Sequence, residues 1–200
     1  WRGGGCADSP FICAMIPLDR PLHGQALPSG EELLILERCA RSEGTGLNAA
    51  SLGGVWRLER LWNRSARAAP LMVGLLRSLA ARLEIEASQG RLHLCNAVNL
   101  ASLELRFLGE ATLQGRRPLL LFRFDRLELV LAGRVLLQRP LQPPDPRRQP
   151  FFALIARSAA ACDGQSDGIP WLAARGRGGG LALWCLQSGG GSGGGSAGSP

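Results

Sequence analysis

Residues 171–186 read WLAARGRGGGLALWCL, and this stretch decides which fold the chain can adopt. Two apolar arms flank Arg175, Gly176 and Arg177, which are followed by three glycines. Apolar arms joined by glycines predict a β-hairpin, because the arms can pair and glycine supplies the turn. A phosphate-binding loop is not predicted, since the Gly-Lys-Ser/Thr ending is missing and an apolar strand rather than a helix follows.

The same segment resembles the Arg-Gly elements that bind RNA, which gives a second interpretation of it. Those elements are repetitive, whereas RGRGGG occurs once here, between Trp171 and Trp184. We therefore favour the hairpin, with Arg175 and Arg177 in structural or rim positions, and rank nucleic-acid binding as the alternative.

Outward from the hairpin, residues 83–131 alternate apolar and polar side chains, with turn signals such as Gly109 and Gly115 between the runs. Several short strands with one apolar face are typical of an antiparallel sheet or barrel. A further strand is predicted in SLGGVWRLERLW, residues 51–62, with Trp56, Leu58 and Trp62 on one face. The predicted fold is mainly β: a lipocalin-like antiparallel β-barrel with two accessory helices.

The two helices are predicted from capping and from spacing. Ser29 and Glu32 form a capping box ahead of EELLILERCARS, and the glycines from Gly44 onward end that helix. The second helix is predicted over 70–83, where Pro70 suits the first turn and leucines recur at helical spacing.

Composition divides the chain into three parts. Residues 1–28 are predicted to be a poorly ordered leader, residues 29–187 the barrel domain, and residues 188–200 a flexible Gly/Ser tail. Within the domain, the proline-rich stretch 139–150 is predicted to be a long exposed connection.

Arginine supplies all 23 basic residues, and the formal net charge is +7. A GC-rich genome explains the missing lysines, but a basic surface still attracts anionic lipid headgroups or nucleic acid. We expect Arg64, Arg67, Arg77 and Arg82 to face such headgroups, which makes a peripheral membrane surface a candidate partner.

The sequence offers no catalytic constellation, so we expect a protein that is not an enzyme and that holds no metal or cofactor. The six cysteines form no C-x-x-C pair, and the two histidines are isolated. We expect the cysteines to be mostly reduced, in a cytosolic-type compartment, since no secretory signal or transmembrane run is visible.

A small barrel with apolar side chains inside is suited to hold a lipophilic ligand, although the same side chains could simply fill the core. The candidate ligand-binding residues are Trp56, Leu58, Trp62, Phe107, Phe122, Phe124 and Trp184.

The order of these segments resembles the plastid lipid-associated protein (PAP)/fibrillin family. Near its start the family has a pattern like L-x-G-x-W-R-L, then G-x-x-x-N-x-V, and at its end R-G-x-x-G-x-L. The residues here that match are Leu52, Gly54, Trp56, Arg57, Leu58, Gly90, Asn96, Val98, Arg175, Gly176, Gly179 and Leu181.

This resemblance implies a barrel that binds carotenoids, quinones or lipids without catalysis, at thylakoids or plastoglobule-like lipid globules. The expected location is the cytoplasm or the cytoplasmic side of the thylakoid membrane in a cyanobacterium, or a plastid in a eukaryote. A pigment-attaching lyase with a similar barrel is a further alternative, and it needs a cysteine or an acidic group inside the cavity. Neither the ligand nor the oligomeric state follows from the sequence.

Overall fold

The computed structural model describes residues 27–67, 80–88, 90–158 and 169–187. These residues form two helices, nine strands and a short 3-10 turn at Pro146–Arg148. The helices and strands are α1 Gly30–Glu43, α2 Ala49–Leu52, β1 Gly54–Trp62, β2 Arg82–Ser88, β3 Arg91–Leu100, β4 Leu103–Gln114, β5 Leu119–Leu131, β6 Arg134–Pro140, β7 Phe151–Arg157, β8 Trp171–Gly176 and β9 Leu181–Leu186.

The nine strands belong to one antiparallel sheet that curls into a barrel, as the alternating pattern predicts. Hydrogen bonding runs from β1 through β2, β3 and β4 to β5, then through β7, β8 and β9 back to β1. β6 stands outside this ring and pairs with the last part of β5. The predicted hairpin in 171–186 is confirmed as β8 and β9, and β9 closes the barrel against β1.

Helix α1 begins where the capping box predicts. Ser29 Oγ accepts a hydrogen bond from the Glu32 backbone N–H, and Glu32 Oε2 accepts one from the Ser29 N–H at 2.7 Å. Gly44, with φ of 87°, ends the helix. Local chemistry alone is enough for both ends, because each contact lies within one turn of the chain.

Apolar packing occurs on both sides of the barrel wall. The inner core fills the barrel and includes the fully buried Trp56 and Leu120. The outer core lies under α1, where Leu33 packs with Ile155 and Leu183 on the outer face of β7 and β9. β7, β8 and β9 are therefore apolar on both faces, which explains their short, continuous hydrophobic runs.

Several sequence predictions need correction, and others concern residues that the structure does not describe. The helix predicted over 70–83 lies mostly outside the described residues, and its last residues, Arg82 and Leu83, already belong to β2. Among the described residues, the second helix is the four-residue α2. The exposed connection predicted over 139–150 starts later than expected, since β6 continues to Pro140. The predicted Gly/Ser tail lies outside the described residues, as does all of the predicted leader except its last two residues.

Cysteine chemistry also differs from expectation at one position. Cys39 on α1 is disulfide-bonded. Cys95 is a thiol whose pKa is raised to about 11 by burial and by the nearby Glu84 charge. A thiol with such a high pKa is poorly nucleophilic at neutral pH.

Candidate binding site at the open end of the barrel

One half of the barrel interior is closely packed. Five of its large side chains are at most 1% exposed: Leu52, Trp56, Leu120, Leu154 and Leu172. The Trp56 indole N–H donates to the Leu52 carbonyl at 2.8 Å, so α2 is held across this end of the barrel. Because this half is filled, a ligand has no room here without displacing core side chains.

A chain of aromatic rings leads from this packed half towards the opposite end. Ring centroids are 5.2 Å apart for Trp184 and Phe152, 5.0 Å for Phe152 and Phe122, 5.4 Å for Phe122 and Phe124, and 5.6 Å for Phe124 and Phe107. These separations are normal for tilted aromatic pairs. Trp184 and Phe122 are 6% and 7% exposed, whereas Phe152, Phe124 and Phe107 are half-buried.

Beyond Phe124 the inner face of β3, β4 and β5 continues as rows of cross-strand neighbours. Residues directly opposite in adjacent strands share a face of the sheet. The row of Leu94, Gly109 and Phe124 faces the inner core. Side chains alternate between the two faces of a sheet, so every second row from there to the ends of β3 and β5 also faces inward. These rows are Asn96–Phe107–Leu127, Val98–Leu105–Leu129 and Leu100–Leu103–Leu131.

We call these three rows the mouth of the barrel. Leu100 is 60% exposed and Leu131 is 40% exposed, and the other members are half-buried. Eight of the nine are apolar, and the exception is Asn96. The mouth therefore joins a packed aromatic interior to solvent through an apolar surface with one amide in it, the usual makeup of a site for a lipophilic ligand.

An irregularity in the pairing of β4 with β5 lies at Gly109, between the packed half and the mouth. Asp125 is an extra residue of β5, between the partners of Leu108 and Gly109, and forms a β-bulge. A Cβ placed on Gly109 would lie 1.8 Å from the Arg123 carbonyl oxygen, so only glycine fits under the bent strand. Bulges bend the strand that carries them and increase the local twist, so we expect this one to set the angle between the packed half and the part of β4 and β5 that forms the mouth.

A shallow cavity of about 310 Å³ lies beside the barrel interior, where β1 separates from the start of β2. Its lining includes Leu58 and Ala81, which belong to the inner core, together with Arg57 and Glu59. The volume is near the lower limit for ligand pockets.

The structure places six of the seven predicted ligand-binding residues inside the barrel and one outside it. Trp56, Leu58, Phe122 and Trp184 belong to the inner core, and Phe124 packs against it. Phe107 lies in the mouth.

Trp62 lies in the outer core beneath α1, which corrects its predicted position inside the barrel. A β-bulge at Glu59 shifts the alternation of β1, so that Leu61 faces inward and Trp62 faces outward. An extra residue reverses the faces of everything that follows it, and the sequence pattern alone does not reveal the bulge.

The residues near the start of β1 that match the family motif make packing contacts or an ion pair within the chain. Leu52 is fully buried. Gly54 has φ of 132°, and a Cβ there would lie 2.5 Å from Leu186 Cδ1. Arg57 is exposed and pairs with Glu59 at 3.5 Å. Two further motif residues, Asn96 and Val98, lie in the mouth.

Arg175 joins the hairpin to helix α1. Its Nε and Nη2 donate to the two carboxylate oxygens of Glu37 at 2.7 and 2.5 Å, and its Nη1 donates to the Gly179 carbonyl at 2.5 Å. Arg41 and Arg117 also donate to Glu37, at 2.9 and 2.7 Å. The Glu37 side chain is only 3% exposed, so one buried carboxylate is held by three guanidinium groups.

The charge of Glu37 is fully retained at neutral pH. Burial by itself would raise the pKa of the Glu37 carboxyl, but hydrogen bonds and charges from Arg175 and Arg41 outweigh it and lower the pKa to about 2. The sequence offers one signal for this residue: Glu37 is the charged member of the helix face that buries Leu33 and Ala40.

Arg177 and Gly179 shape the turn between β8 and β9. Arg177 is exposed, and its guanidinium donates to the backbone carbonyls of Gln149, at 2.7 Å, and Arg147. Gly179 has φ of 86°, and a Cβ there would lie 2.7 Å from Arg64 Nε. Gly176 caps the turn by accepting from the Gly179 N–H at 2.8 Å.

A charged network covers the outer face of β2, β3 and β4. Arg82 donates to Glu84 at 2.6 Å, to Asn99 at 3.0 Å, and to Glu104. Arg106 also donates to Glu104 and is the main cause of the lowered pKa of that carboxyl. The expectation that Arg82 faces lipid headgroups is therefore wrong, because its guanidinium is occupied by two carboxylates. Arg64 and Arg67 are exposed as expected, and Arg77 lies outside the described residues.

In the described parts of the chain, histidine, cysteine and carboxylate side chains form no group of three or more that could hold a metal ion. None of the helices in those parts has the length and apolar character that crossing a membrane requires. Cys95 and Glu104 lie on the outer face of the barrel, since their cross-strand partners Leu108 and Val130 alternate with inward-facing residues.

Comparison with family models, with curated proteins and with solved structures found no match.

Proposed function

We propose that this protein binds a lipophilic small molecule, a carotenoid, quinone or lipid, in the mouth of the barrel. The observation that carries the proposal is the continuity of apolar surface from the buried Phe122 through Phe124 and Phe107 to the half-exposed leucines of β4 and β5. Removing such surface from water stabilises a complex by about 25 cal/mol for each Å².

The depth of the mouth favours a ligand that enters partway. The far half of the interior is filled by core side chains, so the apolar part of the ligand would lie on Leu105, Leu127 and Leu129 and end at Phe107. Asn96 is the amide nearest that point, being the direct neighbour of Phe107. An amide can donate to or accept from one polar group of the ligand, for example a quinone carbonyl or a hydroxyl.

The resemblance to the PAP/fibrillin family supports the same ligand classes and a place at or near a photosynthetic membrane. The proposal includes no catalytic step. For the nucleic-acid alternative, only Arg177 of the Arg-Gly segment is exposed, because Arg175 is paired with Glu37. For the lyase alternative, Cys95 and Glu104 lie on the outer face of the barrel.

The test is a titration with three probes: a prenylated benzoquinone, β-carotene and a fatty acid. Binding of each probe is measured by the quenching of tryptophan fluorescence. Leu105→Gln places an amide on the inner face of the mouth. Its matched control is Leu108→Gln on the outer face of the same strand. Burying an unpaired amide against an apolar ligand costs about 1–3 kcal/mol, so we expect the Kd of the bound probe to rise about tenfold for Leu105→Gln.

The control variant should bind as the unmodified protein does. Equal losses in both variants would contradict the proposal, and so would the lack of saturable binding for all three probes. Mass spectrometry of molecules that co-purify from a photosynthetic host then identifies the natural ligand.

A further inference from the structure

Among the described strands, β6 alone has a neighbour on just one side. Each strand of the ring is hydrogen-bonded to at least two others, whereas β6 pairs only with the last part of β5. The opposite edge of β6 is therefore open, and every residue of the strand is exposed. An open edge presents a row of backbone N–H and C=O groups, which is a template for one more strand.

The pairing of β6 with β5 shows which backbone groups point to the open edge. The Leu141 N–H donates to the Asp125 carbonyl at 2.7 Å, so these two residues form a hydrogen-bonded pair in the register of the two strands. Such pairs alternate with non-hydrogen-bonded pairs along an antiparallel ladder. Gln138, opposite Glu128, lies three residues before Leu141. Its N–H and C=O therefore point away from β5, towards the open edge.

The centre of β6 has apolar side chains on both faces of the sheet. Val135 lies opposite Val130 on the outer face, and Leu137 lies opposite Leu129 on the face of the mouth. Leu136 between them has no partner in β5 and forms a β-bulge. The three consecutive side chains are 51%, 58% and 54% exposed. Exposed apolar side chains grouped in this way are typical of an interaction site.

Positive charge flanks this apolar centre. Arg134 and Arg139 are exposed, and neither forms an ion pair within the described part of the chain. The part of β5 that runs beside β6 contains two carboxylates, Asp125 and Glu128. Glu128 is 8% exposed and pairs with Arg126 at 3.2 Å, so its charge is balanced. One exposed carboxylate against two exposed arginines leaves the edge with a net positive charge.

We infer that β6 is the docking edge for an extended segment of a partner protein in which acidic residues flank apolar ones. The segment adds a strand to the sheet and forms backbone hydrogen bonds at Gln138, while its apolar side chains cover Val135 and Leu137. Its carboxylates lie opposite Arg134 and Arg139, where opposite charges stabilise a strand pair. Backbone bonds supply affinity in this mode of recognition, and alternate side chains supply specificity.

A second copy of this chain fits the edge less well. β6 has seven residues, so two such strands would share an edge about 23 Å long and one strand wide. Stable dimers bury about 1,200–2,000 Å², which is more than such a contact provides. Antiparallel pairing of two copies would also bring arginine close to arginine. The bulge, Pro140 and the arginines are features that limit unspecific edge pairing, and only a strand with carboxylates gains from the arginines.

The experiment is a titration of a fluorescently labelled peptide, Ser-Glu-Thr-Val-Ile-Glu-Ser, with the full chain, followed by fluorescence anisotropy. Its glutamates are four positions apart, as are Leu131 and Leu127, the β5 partners of Arg134 and Arg139. One control peptide has proline in place of valine, and another has arginine in place of both glutamates. We expect saturable binding of the first peptide alone, and we expect salt to weaken it because the paired charges are exposed.

Gln138→Pro tests the backbone of the open edge. Proline removes the N–H that points to the added strand and leaves the hydrogen bonds with β5 in place. Since a hydrogen bond contributes about 0.5–1.5 kcal/mol net, we expect about fivefold weaker binding of the glutamate peptide.

Reversing the charge of the edge tests its specificity. Arg134→Glu combined with Arg139→Glu should weaken binding of the glutamate peptide about tenfold and allow the arginine peptide to bind instead. The matched control, Arg38→Glu with Arg67→Glu, changes the same charge at two exposed arginines on α1 and in the turn after β1. We expect this control to bind both peptides as the unmodified protein does.

Circular dichroism and thermal unfolding check that each variant folds. Equal losses in the charge variant and its control would overturn the inference, and so would equal binding of the proline peptide. Slow hydrogen exchange of the Gln138 amide in the protein alone, measured by NMR, would show that the edge is already covered and would overturn it as well. A dimer in sedimentation velocity that Gln138→Pro dissolves would assign the edge to a second copy instead.

Discussion

Two parts of the same sheet differ in which side chains they bury: one buries a charged side chain, and the other leaves apolar side chains exposed to water. On the wall formed by β7, β8 and β9, helix α1 covers the outer face, and a glutamate is buried there among arginines. At the end of β3, at the end of β5 and on β6, leucines are exposed to water. A carboxylate is stable in the interior only with full pairing, whereas exposed leucines need a reason outside the folded chain. The first region therefore serves stability, and the second is where we place the function.

The largest effect is expected from Glu37→Ala on the covered wall. The change leaves Arg175 and Arg117 without their carboxylate, with side chains only 16% and 23% exposed. Breaking a buried ion pair by removing one partner costs about 3–5 kcal/mol. Urea unfolding should show a loss of this size in the free energy of unfolding.

The matched control is Glu110→Ala at an exposed position. Glu110 also contacts two arginines, Arg91 at 3.6 Å and Arg123 at 3.2 Å, but its side chain is 36% exposed. Exposed pairs contribute about 0–1 kcal/mol. If both variants lost the same stability, the contrast between the wall and the rest of the barrel would be wrong.

Acid should weaken the covered wall through the same residue. The pKa of Glu37 is about 2 in the folded protein, below its ordinary value of 4.5. A lowered pKa contributes stability that is complete above pH 4.5 and is lost as the pH falls towards 2. We expect a loss of at most about 3 kcal/mol over this window, since each pKa unit corresponds to about 1.4 kcal/mol.

This acid dependence is measured by urea unfolding at several pH values. Glu37→Gln lacks the titrating group, so its stability should fall less steeply between pH 4.5 and 2. An identical slope in the unmodified protein and in Glu37→Gln would show that other carboxylates dominate.

A smaller effect is expected from Gly109→Ala, which tests how the mouth is formed. The new Cβ would meet the Arg123 backbone, which cannot move aside as a flexible side chain can. Overpacking of this kind costs about 1–3 kcal/mol. Thermal unfolding measures the cost, and quinone binding should weaken as well, because the bend of β4 and β5 changes.

Gly133→Ala is the control for the backbone part of that cost. Gly133 has φ of 80° and nothing within 4 Å of its missing Cβ, so only the strain of the left-handed conformation remains. That strain is about 1 kcal/mol. A loss in Gly109→Ala no larger than in Gly133→Ala would mean that the close approach of β5 is relaxed in solution.

Much of the architecture could be predicted because it depends on neighbours in the chain. The capping box at Ser29, the alternation in β3 to β5 and the glycine turn between β8 and β9 all lie within short windows. The candidate site was predicted in part. The sequence pattern predicts aromatic ligand contacts inside the barrel, whereas the leucines of the mouth, such as Leu105 and Leu129, have the same alternation as other strand residues and nothing local distinguishes them. β6 was missed because RVLLQRP ends in the proline-rich stretch.

The sequence by itself determined the type of most elements: where α1 begins, that alternating runs form strands, and that residues 171–186 form a hairpin. These follow from hydrogen bonds and side-chain alternation within a few residues. Only the tertiary structure decided which side chains face the barrel interior after a bulge. The bulge in β1 is the reason that Trp62 lies outside the interior. The tertiary structure also brought Arg175 to Glu37, 138 residues away. The physical reason is that an extra residue or a distant ion pair is selected by packing across the whole barrel, which no local pattern records.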